Sequence, residues 1–383
     1  MIQIADLGGV YALCALMDFA SVIVFECLDS AFSGTFSKRE LVYIIIFQIL
    51  FTVNILYGFC RVQQIEARDR KLPKVKIALI QHNPDTSKTD FPSYKVWVER
   101  LEKLSLQALN EDNNRVEMDN SEKLSLIVWP ETAVIPSVRK SLNEKNQSPR
   151  KELSCQLLDF IKNSESSFLI GNFDRDGEED YNAAFFFTKN APNENFEASL
   201  FPSTSENTGG DPQSRDEESQ DKIEFFSSAQ VYRKIHLVPF SECLPFGLKF
   251  PSYSAYAEKK NNMLWSKGSE RKVFELNCGN NGEILKFSSP ICFEDTFGRD
   301  CRKFYKAGAR ALISIGNDAW AKSRRCQMEH LKIAVFRSVE NHIPSARASA
   351  SGESCFISSS GRIYKRAESF KETFIVSEIP LLP

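Results

Sequence analysis

The chain is short of the usual signatures of catalysis. Its 383 residues include only four histidines, at 82, 236, 330 and 342, and no HExxH, GxSxG, Walker A or GxGxxG pattern occurs. These absences set aside the zinc-protease, serine-hydrolase, nucleotide-phosphate and dinucleotide sites that such patterns build. The ten cysteines never pair as CxxC, which argues against a zinc ribbon or a thioredoxin-like site. They are also too sparse for a disulfide scaffold. A net charge of −2 leaves no nucleic-acid footprint. The amino terminus lacks the basic region and small-residue cleavage site of a secretory signal peptide. No internal repeat is evident.

What is present is unevenly distributed. Residues 41–60, LVYIIIFQILFTVNILYGFC, carry no formal charge over twenty positions, enough to span a bilayer. Tyr43 and Tyr57 near the ends suit the membrane interface. Residues 10–28 are largely apolar, with Asp18 and Glu26 the only charges, and predict a second, weaker span. Residues 61–74 are basic and polar and predict a short linker. From residue 75 onward strands and helices alternate, which argues a layered α/β domain. The expected strands cover 75–81, 124–129, 168–173, 181–188, 229–237, 284–294, 309–316, 344–350, 354–359 and 373–379. Helices are expected at 93–109, 152–163, 297–308 and 326–341. Residues 190–222 are rich in Asn, Ser, Gly, Pro and acid, without periodicity, and predict a disordered surface loop.

Three residues stand out in or at the ends of apolar strands. Pro130 must end the run LSLIVW, and Glu131 follows at once. Lys234 lies within VYRKIHLVPF, and Cys292 within SSPICFED. Taken singly, each has an ordinary explanation: a solvated carboxylate, a strand lysine pointing to water, a small core cysteine. Together, in this chain order, they resemble the Glu–Lys–Cys triad of the nitrilase superfamily of carbon–nitrogen hydrolases. KIHLVPFSECLPF (234–246), ICFED, ISIGNDAW (313–320) and EHLKIAVFRSVENHIPSARASASGES (329–354) are more specific, and resemble segments of the bacterial apolipoprotein N-acyltransferases. QIADLGGVY (3–11) is similar to the segment opening one of that family's last membrane spans.

The resemblance implies an α/β fold, a four-layer αββα sandwich preceded by two transmembrane helices. It also implies roles. Cys292 is the nucleophile, Glu131 the general base and Lys234 the oxyanion donor. Glu242 resembles the family's supporting acid that orients the lysine. Glu294 follows Cys292 by two, so strand spacing would put both on one face, where Glu294 holds the pocket loop. His236 is read as structural, and His330 and Glu340, on the 326–341 helix, as held in helix caps and internal hydrogen bonds. Asn317 and Asp318 shape a loop over the pocket, while Trp320, Phe246 and Trp265 contact lipid or pack in the core. No metal or organic cofactor is implied. The implied partners are a membrane phospholipid as acyl donor and a diacylglyceryl apolipoprotein as acceptor, at the bacterial inner membrane.

Several features depart from the family pattern. The family has about eight membrane helices and this chain offers two, so the expectation is a chain lacking most of the amino-terminal membrane part. Ser241 replaces a glycine, Phe293 a tyrosine and Gly316 a serine, and Lys88-Thr89 stands where the family has Lys-Trp. Basic residues cluster at 61–76 rather than at Lys38 and Arg39, which by charge alone would put the domain in the cytoplasm. The family faces the periplasm. Two other readings stay open: an amidase acting on small soluble amides, and a catalytically impaired membrane homologue.

Overall fold

The computed structural model describes residues 2–35, 37–119, 123–189, 217–243, 264–278 and 282–383. The first strand shows how sequence sets the layers. β1 (Lys74–Gln81) is buried along its whole length after Lys74. Val75, Ile77 and Leu79 pack with residues of a second sheet, whereas Ala78 and Ile80 pack against helices. Alternate side chains point to opposite faces, so a strand covered on both sides reads as a continuous apolar run.

Two six-stranded sheets stack face to face. The first has the order β12 (Thr373–Pro380), β1, β2 (Leu126–Val128), β3 (Ser167–Asp176), β4 (Glu179–Phe187), β5 (Gln230–Arg233). The second runs β11 (Ile363–Arg366), β10 (Cys355–Ile357), β9 (Ser345–Ser349), β8 (Ala311–Gly316), β7 (Glu283–Ser288), β6 (Phe274–Cys278). Each has three parallel central strands, β1-β2-β3 and β7-β8-β9, flanked by antiparallel partners. Phe186, Phe274 and Phe287 interlock between the sheets, with ring centroids 5.2–5.4 Å apart.

Helices cover the outer faces. α4 (Phe91–Asp119), α6 (Pro149–Lys162) and α7 (Glu217–Ser227) lie on the first sheet through Leu101, Leu104, Leu157, Ile161 and Phe226. α9 (Arg324–Asn341) covers the second through Leu331 and Val335 against Cys355 and Ile357. The short α5 (Val138–Leu142) and α8 (Gly298–Lys306) complete the described domain. The architecture is the expected αββα sandwich.

Two long apolar helices precede it. α2 (Val10–Ser33) and α3 (Lys38–Asp69) follow a single helical turn, α1 (Ala5–Gly8). Both are long and apolar enough to cross a membrane, and only 6% and 11% of their most apolar stretches are buried. Phe25, Ile49, Val53, Leu56 and Phe59 are left exposed. Ser37 and Glu40 form a capping box that starts α3, with the Ser37 N–H donating to Glu40 Oε2 at 2.9 Å.

The structure corrects three expected boundaries. The spans run further than 10–28 and 41–60. Residues 61–69 are the last turns of α3 rather than a linker, because Arg61, Gln63, Gln64, Glu66 and Arg68 are good helix formers. Those turns are also held: Arg61 Nε and Tyr57 Oη donate to Asp6 Oδ2 at 3.0 and 2.7 Å, and His342 Nε2 lies 2.9 Å from the same oxygen. The expected disordered loop is overturned at its end, since residues 217–222 open α7, whose Phe226 buries against Phe185 and Phe187. Its remainder, 190–216, lies outside the described residues.

Candidate active site

The site forms where the parallel strands end. Glu131 follows β2, Cys292 follows β7, and Asn317 and Asp318 follow β8. Carboxyl ends of parallel strands are where chain direction and loop freedom gather side chains in α/β sheets.

Pro130 ends β2, and the next residues turn sharply, with Thr132 at φ 52°. The turn runs directly over Gly171 of β3. A Cβ there would meet Pro130 O at 2.4 Å and the Glu131 Cα at 2.7 Å, so only glycine admits the Glu131 loop. Glu131 is thereby buried. Its Oε1 accepts from Lys234 Nζ at 3.0 Å and from Asn182 Nδ2 at 2.7 Å.

Lys234 lies just past β5, not inside a strand. Its N–H donates to Asn182 O and its carbonyl accepts from the Gly268 N–H, both at 2.8 Å. A Cβ on Gly268 would fall 2.2 Å from Arg233 O, so this close approach also requires glycine. The side chain is 1% exposed, and its Nζ sits between Glu131 and Glu242, 2.9 Å from Glu242 Oε1. Burial works against the ammonium, but the Glu131, Cys292 and Glu242 charges outweigh it and lift the Lys234 pKa. The lysine is charged at any physiological pH. Glu242 is fixed in turn by the Val238 N–H on Oε2 at 2.8 Å.

The Cys292 segment corrects the sequence reading. The strand expected over 284–294 ends at Ser288, and Cys292–Thr296 form a 3-10 turn. Cys292 itself takes φ 50°, the left-handed region that non-glycine residues rarely adopt. Such local strain persists only where neighbours over-determine it. Burial pushes the thiol pKa well up, and the Glu131 charge pushes it further; Lys234 and a hydrogen bond from the Asn317 backbone oppose them. The resting sulfur is therefore a neutral thiol beside a carboxylate and an ammonium. Asn317 is aimed by its own side chain, whose Nδ2 donates to Thr132 Oγ1 at 2.8 Å, tying the loop after β8 to the Glu131 turn.

Glu294 does not share a face with Cys292 as strand spacing predicts, because the turn sends it into the core. There it accepts from Tyr232 Oη at 2.8 Å and from the Ile235 and His236 N–H groups at 2.7 and 3.0 Å on one oxygen. Its other oxygen accepts from the Ile291 N–H at 2.8 Å. It thus ties the Lys234 loop to the residue before Cys292.

The remaining expectations divide. His236 stacks on Phe297 with centroids 4.5 Å apart and lies 2.9 Å from Asp300 Oδ2. Glu340 pairs with Arg337 at 3.0 Å and accepts from the Val10 N–H at 3.3 Å, joining the domain to α2. Trp320 is exposed, whereas Trp265 packs on Phe173 at 4.4 Å and donates its backbone N–H to Glu242 O. Phe246 lies outside the described residues.

Two features escape the sequence reading. Asn182 bridges Glu131 and Glu242, at 2.7 and 3.1 Å. Its signal was slight, a lone amide in the strand YNAAFFFT. His330 makes the internal hydrogen bonds expected of it, but to a pair of buried aspartates the sequence does not reveal: it lies between Asp295 and Asp318, 2.9 Å from each. Burial works against its positive charge, but Asp295 and Asp318 raise its pKa to about 9 despite the nearby Arg347. Arg347 in turn donates to Asp318 Oδ2 at 2.9 Å.

Two stacked sheets thus gather a buried carboxylate, lysine and cysteine at the ends of their strands. Residues 76–382 match the carbon–nitrogen hydrolase family, and the chain belongs to that family. Among curated relatives, "Apolipoprotein N-acyltransferase 1" of Treponema denticola is 31% identical, over 100% of this chain and 65% of its own length. Its namesake from Treponema pallidum is 33% identical, over 81% and 50%. "Apolipoprotein N-acyltransferase" of Borreliella burgdorferi is 25% identical, over 100% and 63%. The chain thus spans between one half and two thirds of the length of these relatives.

Proposed function

We propose that this protein is an N-acyltransferase that moves a fatty acyl group from a membrane phospholipid to the α-amine of an S-diacylglyceryl cysteine on an apolipoprotein. The observation that carries the reading is the buried Lys234, ion-paired to Glu131 and Glu242 and acting electrostatically on the Cys292 thiol. The relatives' names and the two exposed apolar helices support the lipid substrates.

In this reading Glu131 takes the thiol proton as the sulfur attacks the ester carbonyl, because a thiol held neutral requires a base at the moment of reaction. Lys234 stabilises the oxyanion. The ester C–O bond breaks, and lysophospholipid leaves with the proton that Glu131 held. The acceptor amine then attacks the thioester and gives up a proton to Glu131. The C–S bond breaks as the amide forms, and the proton returns to sulfur. The α2–α3 pair keeps the site beside acyl chains that stay in the bilayer. We assign the protein to the inner membrane with its catalytic domain on the periplasmic side; protease shaving of intact spheroplasts should digest the domain.

The test is thioester trapping. The membrane-embedded protein, given phospholipid without acceptor, should gain one acyl mass that neutral hydroxylamine removes. Cys292→Ala should not gain it, and a diacylglyceryl-cysteine peptide should discharge it as an N-acyl amide. An adduct cleared by water but not by the peptide would identify a hydrolase. No adduct on folded protein would refute the assignment.

A further inference from the structure

Cys292 faces a second set of partners that the acyl-transfer reading does not use. Its sulfur, a carboxylate oxygen of Asp318 and a ring nitrogen of His330 all lie within 4.8 Å of one another. They come from three separate elements: the turn after β7, the loop after β8, and α9. We propose that these three side chains form a binding site for one soft divalent cation of the zinc type, which caps the cysteine reversibly.

Thiolate, imidazole and carboxylate are a donor set that suits zinc, and three protein ligands leave a fourth position open. Such ions bind these donors at about 2.0–2.3 Å, so a triangle of this size closes with modest side-chain movement. The supporting contacts are also present. His330 presents Nδ1 to Asp318 Oδ1, and its Nε2 lies 2.9 Å from Asp295 Oδ1. A metal-bound histidine typically donates its other N–H to a carboxylate in this way, which fixes the ring. The second oxygen of Asp318 is held by Arg347 Nη2 at 2.9 Å, leaving Oδ1 for the ion.

The exchange conserves charge. With both His330 nitrogens against carboxylates, the ring is held as imidazolium. Asp295 and Asp318 then balance His330 and Arg347 around a neutral thiol. A divalent cation displaces the thiol proton and the Nδ1 proton to solvent, so the cluster's net charge is unchanged. Arg347 Nη2 also lies 3.0 Å from His330 Nδ1 and opposes the ion, while the two aspartates offset it. The cation and the acyl group compete for the same sulfur. Only that consequence rests on the acyltransferase reading; the site itself does not.

Zinc sulfate is the probe, on the full chain in membranes or detergent. Iodoacetamide labelling of Cys292, followed by peptide mass spectrometry, should slow by about tenfold or more with zinc and recover with chelator. Asp295→Asn should weaken protection by about 10–100-fold, the usual worth of an outer carboxylate. His330→Gln and Asp318→Asn should abolish it while labelling proceeds without zinc. Cobalt(II) on the wild type should give a thiolate-to-metal absorption band that Cys292→Ala, a variant that keeps the buried cluster, lacks. Unchanged Cys292 labelling in zinc, or a cobalt band that persists in Cys292→Ala, would overturn the proposal. So would equal protection in His330→Gln, which would mean a thiol acting alone. Acylation measured with chelator present tests the proposed function separately.

Discussion

Replacing Glu294 separates the scaffold of the site from its chemistry. The carboxylate satisfies four donors: the Tyr232 hydroxyl and the N–H groups of Ile235, His236 and Ile291. Burial raises its pKa, and those donors oppose the shift. Glu294→Leu would leave all four donors buried without partners. At about 1–3 kcal/mol each, the loss is roughly 4–12 kcal/mol, comparable to the whole stability of a domain, about 5–15 kcal/mol. That variant should not accumulate folded. Glu294→Gln behaves differently. Its carbonyl can keep the Ile235 and His236 N–H groups, and the tyrosine hydroxyl can rotate to accept from the new amide. Only the Ile291 N–H then faces a donor, a cost of about 1–3 kcal/mol. Because Ile291 directly precedes Cys292, that modest loss falls on the left-handed turn holding the sulfur. Thermal unfolding in micelles and the acylation rate of Cys292 are the two readouts. Glu294→Gln should melt a few degrees lower and acylate far more slowly than its stability loss explains. A Glu294→Leu protein with native melting temperature would refute the accounting, as would a Glu294→Gln protein with native acylation.

Lys234→Ala should slow Cys292 acylation by roughly 10²–10³ if the lysine is worth one oxyanion donor. It should also lower the melting temperature, since the buried Glu131 and the partly buried Glu242 lose their shared cation; unchanged acylation would exclude the role. Gly171→Ala places a methyl against the backbone of Pro130 and Glu131 and should cost about 1–3 kcal/mol by overpacking, with acylation reduced because Glu131 moves. A melting curve matching the wild type would sink that argument. His330 gives a pH signature of definite sign. Its folded pKa, raised to about 9, lies above its unfolded value near about 6.5. Its contribution, about 3 kcal/mol at one pKa unit per 1.36 kcal/mol, is full below the unfolded value and is lost as pH rises through about 9. Melting temperature should fall between those limits, and His330→Gln should flatten the fall.

The layers were legible because burial on both faces writes itself as uninterrupted apolar strands. β1 and β8 were visible at nearly their full lengths for that reason. The long apolar helices were legible for the opposite reason, absence of charge. Boundaries governed by tertiary contact were not. The last turns of α3 look like a basic linker until Asp6 and His342 are seen to hold Arg61. The opening of α7 looks like acidic loop because the residue that anchors it, Phe226, follows the acidic stretch. At the candidate site, Glu131, Lys234 and Cys292 were singled out by strand endings and resemblance. The direction of Glu294 was missed because a two-residue offset means opposite things in a strand and in a 3-10 turn.

That last error bears on how such a site is built. A strand would present Cys292 and Glu294 side by side, and the glutamate would then add a second negative charge beside the thiol. The left-handed φ at Cys292 breaks the alternation. One residue faces the reaction space while the other turns inward, to a place where its charge meets four donors. The strain is offset by those bonds and by the bridge from Asn317 to Thr132, which ties the loop after β8 to the Glu131 turn. Asp318 imposes a further cost on the thiolate, and His330 and Arg347 sit where they offset it. The anion-destabilising charges near the sulfur are thus each held by a cation: Glu131 by Lys234, and Asp318 by His330 and Arg347. A sequence can show the members of such pairs. Which charge is matched to which is decided by the two sheets meeting, and so it becomes visible only when strands from both halves of the chain are in place.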